Sequence, residues 1–443
     1  MPSEQGLSNM SGKIRYVECR IVDILGRVKA MIVPCNPVDS IEELRNDPIM
    51  KDGTSIDGSS VAGLSRVESS DLRLEPDLSS LIELPYALIR TAAVMCFVRE
   101  KGSRPDGSYY PTDSRGVLHQ VCKKLLSEDM SLKTRTEPEF HLVTEDGEKF
   151  DSGSYAQIYP SNPAEDIILE IANQIQDIGI KVRVAHHEVG ESQQEIEISY
   201  EDVRKMADNL IVFKNLARAV AQDAGVFVNF MPKPFAGNAG SGLHCHLQLW
   251  KGEKNLFGDE STDDLSEMAK SFVAGLLEHA PAITAIANPS VNSFKRLVPH
   301  CEAPVYISWG MMNRTALVRV PLFTTAKKAN IELRSPDSMA NPYLLFAAIL
   351  AAGMDGVNRK LKPPEPRKED IFALSDQQRD LLGINALPTN LGEALIALEN
   401  DDVIVAALGP EIVAKFIEIK QKEWFEYLNE AVTDWEIETY SDL

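Results

Sequence analysis

Four short segments of the chain alternate ionisable or imidazole residues with apolar ones at a spacing of two. Glu137 and Glu139 lie in Thr-Glu-Pro-Glu-Phe, Glu195 and Glu197 in Gln-Glu-Ile-Glu-Ile, His244 and His246 in Leu-His-Cys-His-Leu, and Glu332 and Arg334 in Ile-Glu-Leu-Arg. Alternate side chains share one face of a strand, so each segment predicts a strand with a polar and an apolar face. The apolar faces are Phe140 and Leu142, Ile196 and Ile198, Leu243 with Cys245 and Leu247, and Ile331 with Leu333. One such segment describes a half-solvated sheet. Four of them, with polar members that are mainly carboxylate and imidazole, describe a binding face, because solvated faces mix in Lys, Thr, Ser and Gln. Converging carboxylates repel one another unless cations neutralise them. Carboxylate oxygen with some imidazole suits Mg²⁺ or Mn²⁺, and phosphate oxygens can complete their shells.

The chain of 443 residues is too long for one ordinary core and predicts two or three domains. Its 44 % apolar content is enough to bury a large core. A net charge of −21 argues against nucleic acid as a ligand, since phosphate backbones would repel it. The six cysteines, Cys19, Cys35, Cys96, Cys122, Cys245 and Cys301, show no zinc or redox spacing and are expected to be reduced. The opening Met-Pro-Ser-Glu-Gln lacks a signal pattern, so a cytoplasmic location is expected. The longest apolar run, Leu344 to Met354, is too short to span a bilayer and predicts a buried helix.

Ile14–Leu25 and Ala87–Val98 read as strands and Ile41–Asn46 as a helix. The turn-rich stretch Lys101–Thr112 marks a boundary, after which Asp113 is placed to cap a helix over Ser114–Ser127. Helical spacing covers Ala164–Ile178, Glu201–Ala224, Leu265–Leu277, Tyr343–Val357 and Glu411–Val432, with Gly225 as a stop. The organisation is α+β: a small sheet-rich domain over 13–105, then a large domain over 106–443.

Around the four segments, Glu188 can join Glu195 at one ion if the chain loops between them, which Gly190 permits. The adjacent His186 and His187 read as structural. The Gly-rich run Phe235–His244 is neither a Walker loop nor a dinucleotide fingerprint, but it lets backbone amides approach an anion. Lys295, Arg296, Arg314, Arg319, Lys327, Lys328 and Arg334 form a basic set in an acidic chain. Carboxylate-held cations with arginines point to phosphoryl transfer.

Together these motifs resemble type I glutamine synthetase over residues 14 to 440. The resemblance rests on Ile56-Asp-Gly-Ser-Ser60, Glu137-Pro-Glu139, His186-His-Glu-Val189, Met231-Pro-Lys-Pro234, Gly240-Ser-Gly-Leu-His244, Lys295-Arg-Leu-Val-Pro299, Glu302-Ala-Pro304, Asn313-Arg314, Glu332-Leu-Arg334 and Asn341-Pro-Tyr343. It implies an N-terminal β-grasp domain, and a catalytic domain with a curved antiparallel sheet and helices. It also implies a homo-dodecamer of two hexameric rings with active sites between subunits. The implied reaction joins glutamate and ammonium through γ-glutamyl phosphate with ATP, in nitrogen assimilation.

Carried over by position, Glu139, Glu188 and Glu195 hold one divalent ion, and Glu137, His244 and Glu332 hold another. Arg296, Arg334 and Gly240 hold glutamate. Arg314 and Arg319 contact phosphate, and His246 and Lys327 fall on the nucleotide side. Asp57, from the neighbouring chain, and Tyr155 form the ammonium pocket, and Glu302 closes over the intermediate as a proton acceptor. Ala239, Gln248 and Asn330 depart from the common pattern. Phe372 replaces a tyrosine that some members adenylylate, which places the chain in the unadenylylated subclass, and Arg66 falls where that subclass carries an arginine tied to glutamine feedback. The reading leaves room for small regulatory proteins. Its rivals are a glutamate–polyamine or –ethanolamine ligase, kept open by Ala239, a non-catalytic assembly, and ATP hydrolysis without ligation.

Overall fold

The computed structural model describes residues 12–102, 108–262, 264–299 and 303–442. The first part of the chain forms a six-stranded sheet from β1 (Ile14–Val22), β2 (Val28–Val38), β3 (Thr54–Asp57), β4 (Asp71–Pro76), β5 (Ile82–Glu83) and β6 (Thr91–Glu100). Its order is β2-β1-β6-β4-β3, with β5 also on β6, and only the β1–β6 pair is parallel. β6, the run Thr-Ala-Ala-Val-Met-Cys-Phe-Val-Arg-Glu, is buried on both faces. Val94, Cys96 and Val98 face a core with Val17, Leu44 and Leu74, while Met95 on the other side joins the core of the rest of the chain.

The two strands expected here come out shorter. β1 stops at Val22 because Asp23 folds the chain back, its Oδ1 accepting from the backbone N–H groups of Leu25 and Arg27. β6 begins only at Thr91, and the apolar Leu88 and Ile89 before it lie exposed on a turn.

The larger sheet comprises β7 (Met130–Val143), β8 (Val182–His187), β9 (Gln193–Asp202), β10 (Phe227–Asn229), β11 (Leu243–Lys251) and β12 (Lys254–Asn255), followed, after the small hairpin of β13 (Gly258–Asp259) and β14 (Asp264–Leu265), by β15 (Trp309–Met311), β16 (Val318–Val320) and β17 (Ile331–Leu333). The order is β15-β16-β17-β11-β7-β9-β8, with β10 on β7 and β12 on β11. All pairs are antiparallel except β15–β16, a parallel pair that the alternation did not predict. The apolar side, with Phe140, Ile196, Ile198, Leu247 and Ile331, enters one large core with the helices.

Helix Ser114–Ser127 forms as expected, with Asp113 capping it at Arg115 N–H. Helices Glu165–Asp177, Val203–Asp223, Glu267–Glu278, Pro342–Arg359 and Pro410–Asn429 lie within a few residues of the expected spans. The apolar run Leu344–Met354 sits inside Pro342–Arg359, against Glu267–Glu278. Gly275 and Gly356 allow the close approach, since a Cβ at either would come 2.1 Å from a carbonyl oxygen of the opposite helix. Cys19, Cys35, Cys96, Cys122 and Cys245 are free thiols, and Cys301 lies outside the described residues.

One buried ion group ties the first sheet to the helices. Arg115 Nε and Nη2 donate to the two oxygens of Asp208, at 2.9 and 2.8 Å, and Nη2 also to Asp77 at 2.7 Å. Tyr343 Oη donates to Asp208 at 2.6 Å. Removing the arginine strands two acidic groups, which costs about 3–5 kcal/mol. Arg115→Leu is therefore expected to lower Tm markedly in calorimetry. Lys101→Ala, which breaks an exposed pair with Asp71, is expected to cost less than about 1 kcal/mol.

Candidate active site

Strand register gathers the polar faces of the four segments. Glu137 on β7 pairs with His244 on β11, His246 on β11 with Glu332 on β17, Glu139 on β7 with Glu195 on β9, and Glu195 in turn with His186 on β8. Residues opposite one another on neighbouring strands project to the same side. Glu137, Glu139, His186, Glu195 and His244 line a cleft of about 940 Å³, joined there by Arg296, Arg314, Arg319 and Arg334, with His246 and Glu332 buried behind its wall.

Glu137, His244 and Glu332 offer ligand atoms within 4.8 Å of one another. His244 Nδ1 stands 3.2 Å from Glu137 Oε2 and 3.7 Å from Glu332 Oε1. His246 is buried behind them and spans Glu137 Oε1 at 2.8 Å and Asn330 Oδ1 at 3.0 Å. Burial opposes ionisation of Glu137, but hydrogen bonds from His244 and His246 win and hold it far below the usual carboxylate range. Glu332 has no exposed surface, and burial opposes its ionisation too. His246, Arg334 and His244 nevertheless draw it down to about 2. Arg319 and Arg334 each donate to one of its oxygens, at 2.8 and 2.6 Å.

A second group is His186, Glu188 and Glu195, also within 4.8 Å. A tight turn brings Glu188 back beside Glu195: Glu188 N–H donates to Gln193 O at 2.7 Å and Gln193 N–H to Gly190 O at 3.0 Å. Glu139, expected in this set, stands opposite Glu195. Its Oε2 accepts from Gly242 N–H at 2.8 Å and Gln193 Nε2 at 3.0 Å, and its Oε1 lies 3.8 Å from His244 Nε2. His186 belongs to the cleft rather than to the structure around it. Its Nε2 is 3.3 Å from Glu195 Oε1, and its ring meets Tyr155 at 5.3 Å. The hydrogen bond to Glu195 lifts the His186 imidazole to about 9, and burial pushes the Glu195 carboxyl up to about 7, so the pair retains a proton. His187 is the structural member, buried with its Nε2 on Asp151 at 2.8 Å.

Both donor sets are hard oxygen with imidazole, already crowded with negative charge, and they fit divalent cations. A third group, Glu278, His279 and Asp355, lies outside the cleft, and Arg359 bridges its two carboxylates.

The remaining expected residues divide. Arg296 is buried beneath the cleft, donating to Ser335 O at 2.7 Å, and Gly240 lies so close that a Cβ there would come 2.9 Å from Arg296 Cγ. Tyr155, Ala239, Arg314 and Phe372 line the cleft. Gln248 is structural, held between Ala329 O and Trp250. Lys327 is exposed on a short turn outside the cleft lining. Asp57 lies on the exposed edge of the first sheet, its carboxylate accepting from Ser59 and Ser60, and is not part of this chain's cleft. Arg66 is exposed near Glu418. Glu302 lies outside the described residues. The sequence reading passed over Arg135, which sits two residues before Glu137 and joins Glu137 to the buried Glu197. Its place in the same alternation was the available signal.

The model for the glutamine synthetase catalytic domain matches residues 111–440, and that for the glutamine synthetase β-grasp domain matches 13–101. The glutamine synthetase of Pyrococcus abyssi is 43 % identical over 441 residues, 96 % of each chain. That of Methanococcus maripaludis is 40 % identical over 438 residues, 97 % of each. Among solved structures, a GmaS–ADP complex superposes with a TM-score of 0.86 at 32 % identity over the whole of both chains. A Plasmodium falciparum glutamine synthetase gives 0.83 at 24 % identity over 99 % of each.

Because cation binding at Glu188 and Glu195 must displace the proton held with His186, Mn²⁺ affinity is expected to rise with pH. The rise should be roughly tenfold per pH unit for one displaced proton, flattening above about 9. The stability of the metal-free protein is expected to run the opposite way: the His186 contribution is present below its unfolded value of 6.5 and lost as pH rises through about 9. Calorimetric Mn²⁺ titration across this range checks the first, and a pH-independent affinity contradicts it.

Proposed function

We propose that this chain, which belongs to the glutamine synthetase family, condenses L-glutamate with ammonia to L-glutamine, converting ATP to ADP and phosphate. The observation that carries this reading is the pair of convergent donor groups at one cleft that also presents five arginines, Arg183, Arg296, Arg314, Arg319 and Arg334. Glu137, His244 and Glu332 would hold one divalent cation, and Glu188 and Glu195, with Glu139 across the strand pair, another. Bound there, Mg²⁺ or Mn²⁺ offsets the repulsion between ATP and the substrate carboxylate.

Arg314 and Arg319 orient the phosphates, with His246 holding Glu137 in place beside them. A neighbouring structure solved with ADP supports the nucleotide side. Arg296, Arg334 and the backbone at Gly240 hold glutamate. The glutamate γ-carboxylate oxygen attacks the γ-phosphorus, the bond to the ADP oxygen breaks, and γ-glutamyl phosphate results. Ammonia then attacks the γ-carbonyl carbon and phosphate departs. Ammonium must first lose a proton, and Asp57 of an adjacent subunit takes it beside Tyr155. Hydrogen bonds from Ser59 and Ser60 hold Asp57 below the usual carboxylate range, so it is an anion that attracts ammonium. Glu302 accepts the proton from the tetrahedral adduct.

A site completed by a neighbour requires an oligomer, and we read it as a dodecamer. The exposed apolar Ile32, Val67, Leu88 and Ile158 support buried contacts between copies. Among the described residues no helix is long and apolar enough to cross a membrane, in keeping with a cytoplasmic enzyme. Phe372 has no hydroxyl to adenylylate, and Arg66 is assigned to glutamine feedback, which Arg66→Ala should relieve.

Ala239 in the cleft wall favours testing larger amines. Phosphate release is expected to need glutamate and ammonium together, with putrescine and ethanolamine inert. Glu332→Gln should cut kcat roughly 100-fold or more, and because it leaves Arg319 and Arg334 short of their buried counter-charge it should also lower Tm. Turnover with putrescine in place of ammonium, or phosphate release without glutamate, overturns the assignment.

A further inference from the structure

Two loops meet at the end of the cleft to which glutamate is assigned. One is the turn 188–192 between β8 and β9, which carries Glu188. The other is the Gly-rich run 235–242 that leads into β11 and carries Gly240. Gly190 lets them touch: a Cβ there would come 2.7 Å from Gln193 Oε1, 2.9 Å from Asn238 Oδ1 and 3.0 Å from Ala239 Cβ. Half-buried Asn238 ties the loops together, donating from Nδ2 to Glu191 O at 2.9 Å while its Oδ1 accepts from Glu191 N–H at 3.0 Å. Gln193, the first residue of β9, ties them again from beneath. It is 1 % exposed, and its Oε1 accepts from Gly190 N–H at 3.0 Å. Its Nε2 donates to Gly240 O at 3.1 Å and to Glu139 Oε2 at 3.0 Å.

These partners fix which way the amide faces. Turned over, its oxygen would meet a carbonyl and a carboxylate, and its NH₂ would meet an N–H donor. One side chain thus touches a cation ligand, the turn that presents Glu188 and the backbone assigned to glutamate. The Gln193 main chain closes the same turn, its carbonyl accepting from Glu188 N–H. We propose that Gln193 is a positioning residue for glutamate recognition, holding the Gly240 carbonyl in register with the cation ligands Glu139 and Glu188, and that Asn238 braces the same junction. The proposal rests on the glutamate–ammonia reading of the cleft. A peptide oxygen has two lone pairs, so the Gly240 carbonyl bonded to Gln193 has a second to offer a substrate ammonium group. Groups that hydrogen-bond to a metal ligand from behind also set how tightly the ion is held.

The test is steady-state kinetics and a substrate-free Mn²⁺ titration on the full-length enzyme and on Gln193→Met, which keeps the side-chain length and loses the amide. At saturating Mn²⁺, KM for glutamate should rise roughly tenfold while kcat and KM for ATP change less than about twofold, the pattern of lost binding rather than lost chemistry. Of the two cleft Mn²⁺ affinities, one should fall roughly tenfold and the other hold. Asn238→Ala, which breaks the link at Glu191, should move the same two constants in the same direction, so the result does not depend on how one variant folds. A merely structural amide would lower Tm and move every constant together. That result, or an unchanged glutamate KM and unchanged Mn²⁺ affinities in both variants, overturns the proposal. If the unaltered enzyme forms no glutamine, the assigned reaction fails, and the Mn²⁺ titration, which needs no turnover, decides Gln193 alone: a fall in one affinity upholds its positioning of the cation ligands, and no change overturns it.

Discussion

Glu332 has no solvent-exposed surface, yet its carboxylate is clasped on one side by Arg319 and on the other by Arg334. A buried ion is costly unless its partners compensate closely. The same condition recurs along the cleft. Glu137 is met by His244 and His246, Glu139 by Gly242 N–H and Gln193, and Glu195 by His186. This matched set lets one sheet face concentrate carboxylates at close range without unfolding, and it leaves them able to take cations when these arrive.

The scaffold makes that balance hold by register. The opposite face of β7, β9, β11 and β17 is apolar and closed over by helices, so a slip of one residue would bury the carboxylates and expose Phe140, Ile196 and Leu247. The long helices beneath are drawn close through glycines, and Arg115 locks the first sheet to them. The first sheet is held firmly while its β3 edge, with Asp57, faces outward, which suits a residue proposed to serve a neighbouring copy.

Much of this was legible in the chain because it is local. Alternation at a spacing of two marked the four strands, and Asp113 marked a helix start at the right residue. What alternation could not show was which strands are neighbours. His186 read as structural because its partner Glu195 becomes adjacent only through β8–β9 pairing, and β15 and β16 were too short to carry a pattern. Arg115 reads in sequence as an ordinary residue near a helix start; its burial depends on Asp77 and Asp208, far away along the chain. Leu88 and Ile89 looked like strand core but turn outward. The roles of Asp57, Arg66 and Glu302 came only from resemblance, and no single-chain geometry bears on them.

The central claim is that the two donor groups of the cleft hold divalent cations. Anomalous diffraction at the manganese edge from crystals grown with Mn²⁺ tests it directly. The account predicts one peak among Glu137, His244 and Glu332 and another beside Glu188 and Glu195, with the first lost in Glu332→Gln. Peaks only outside the cleft, or a first peak that persists in Glu332→Gln, would contradict it.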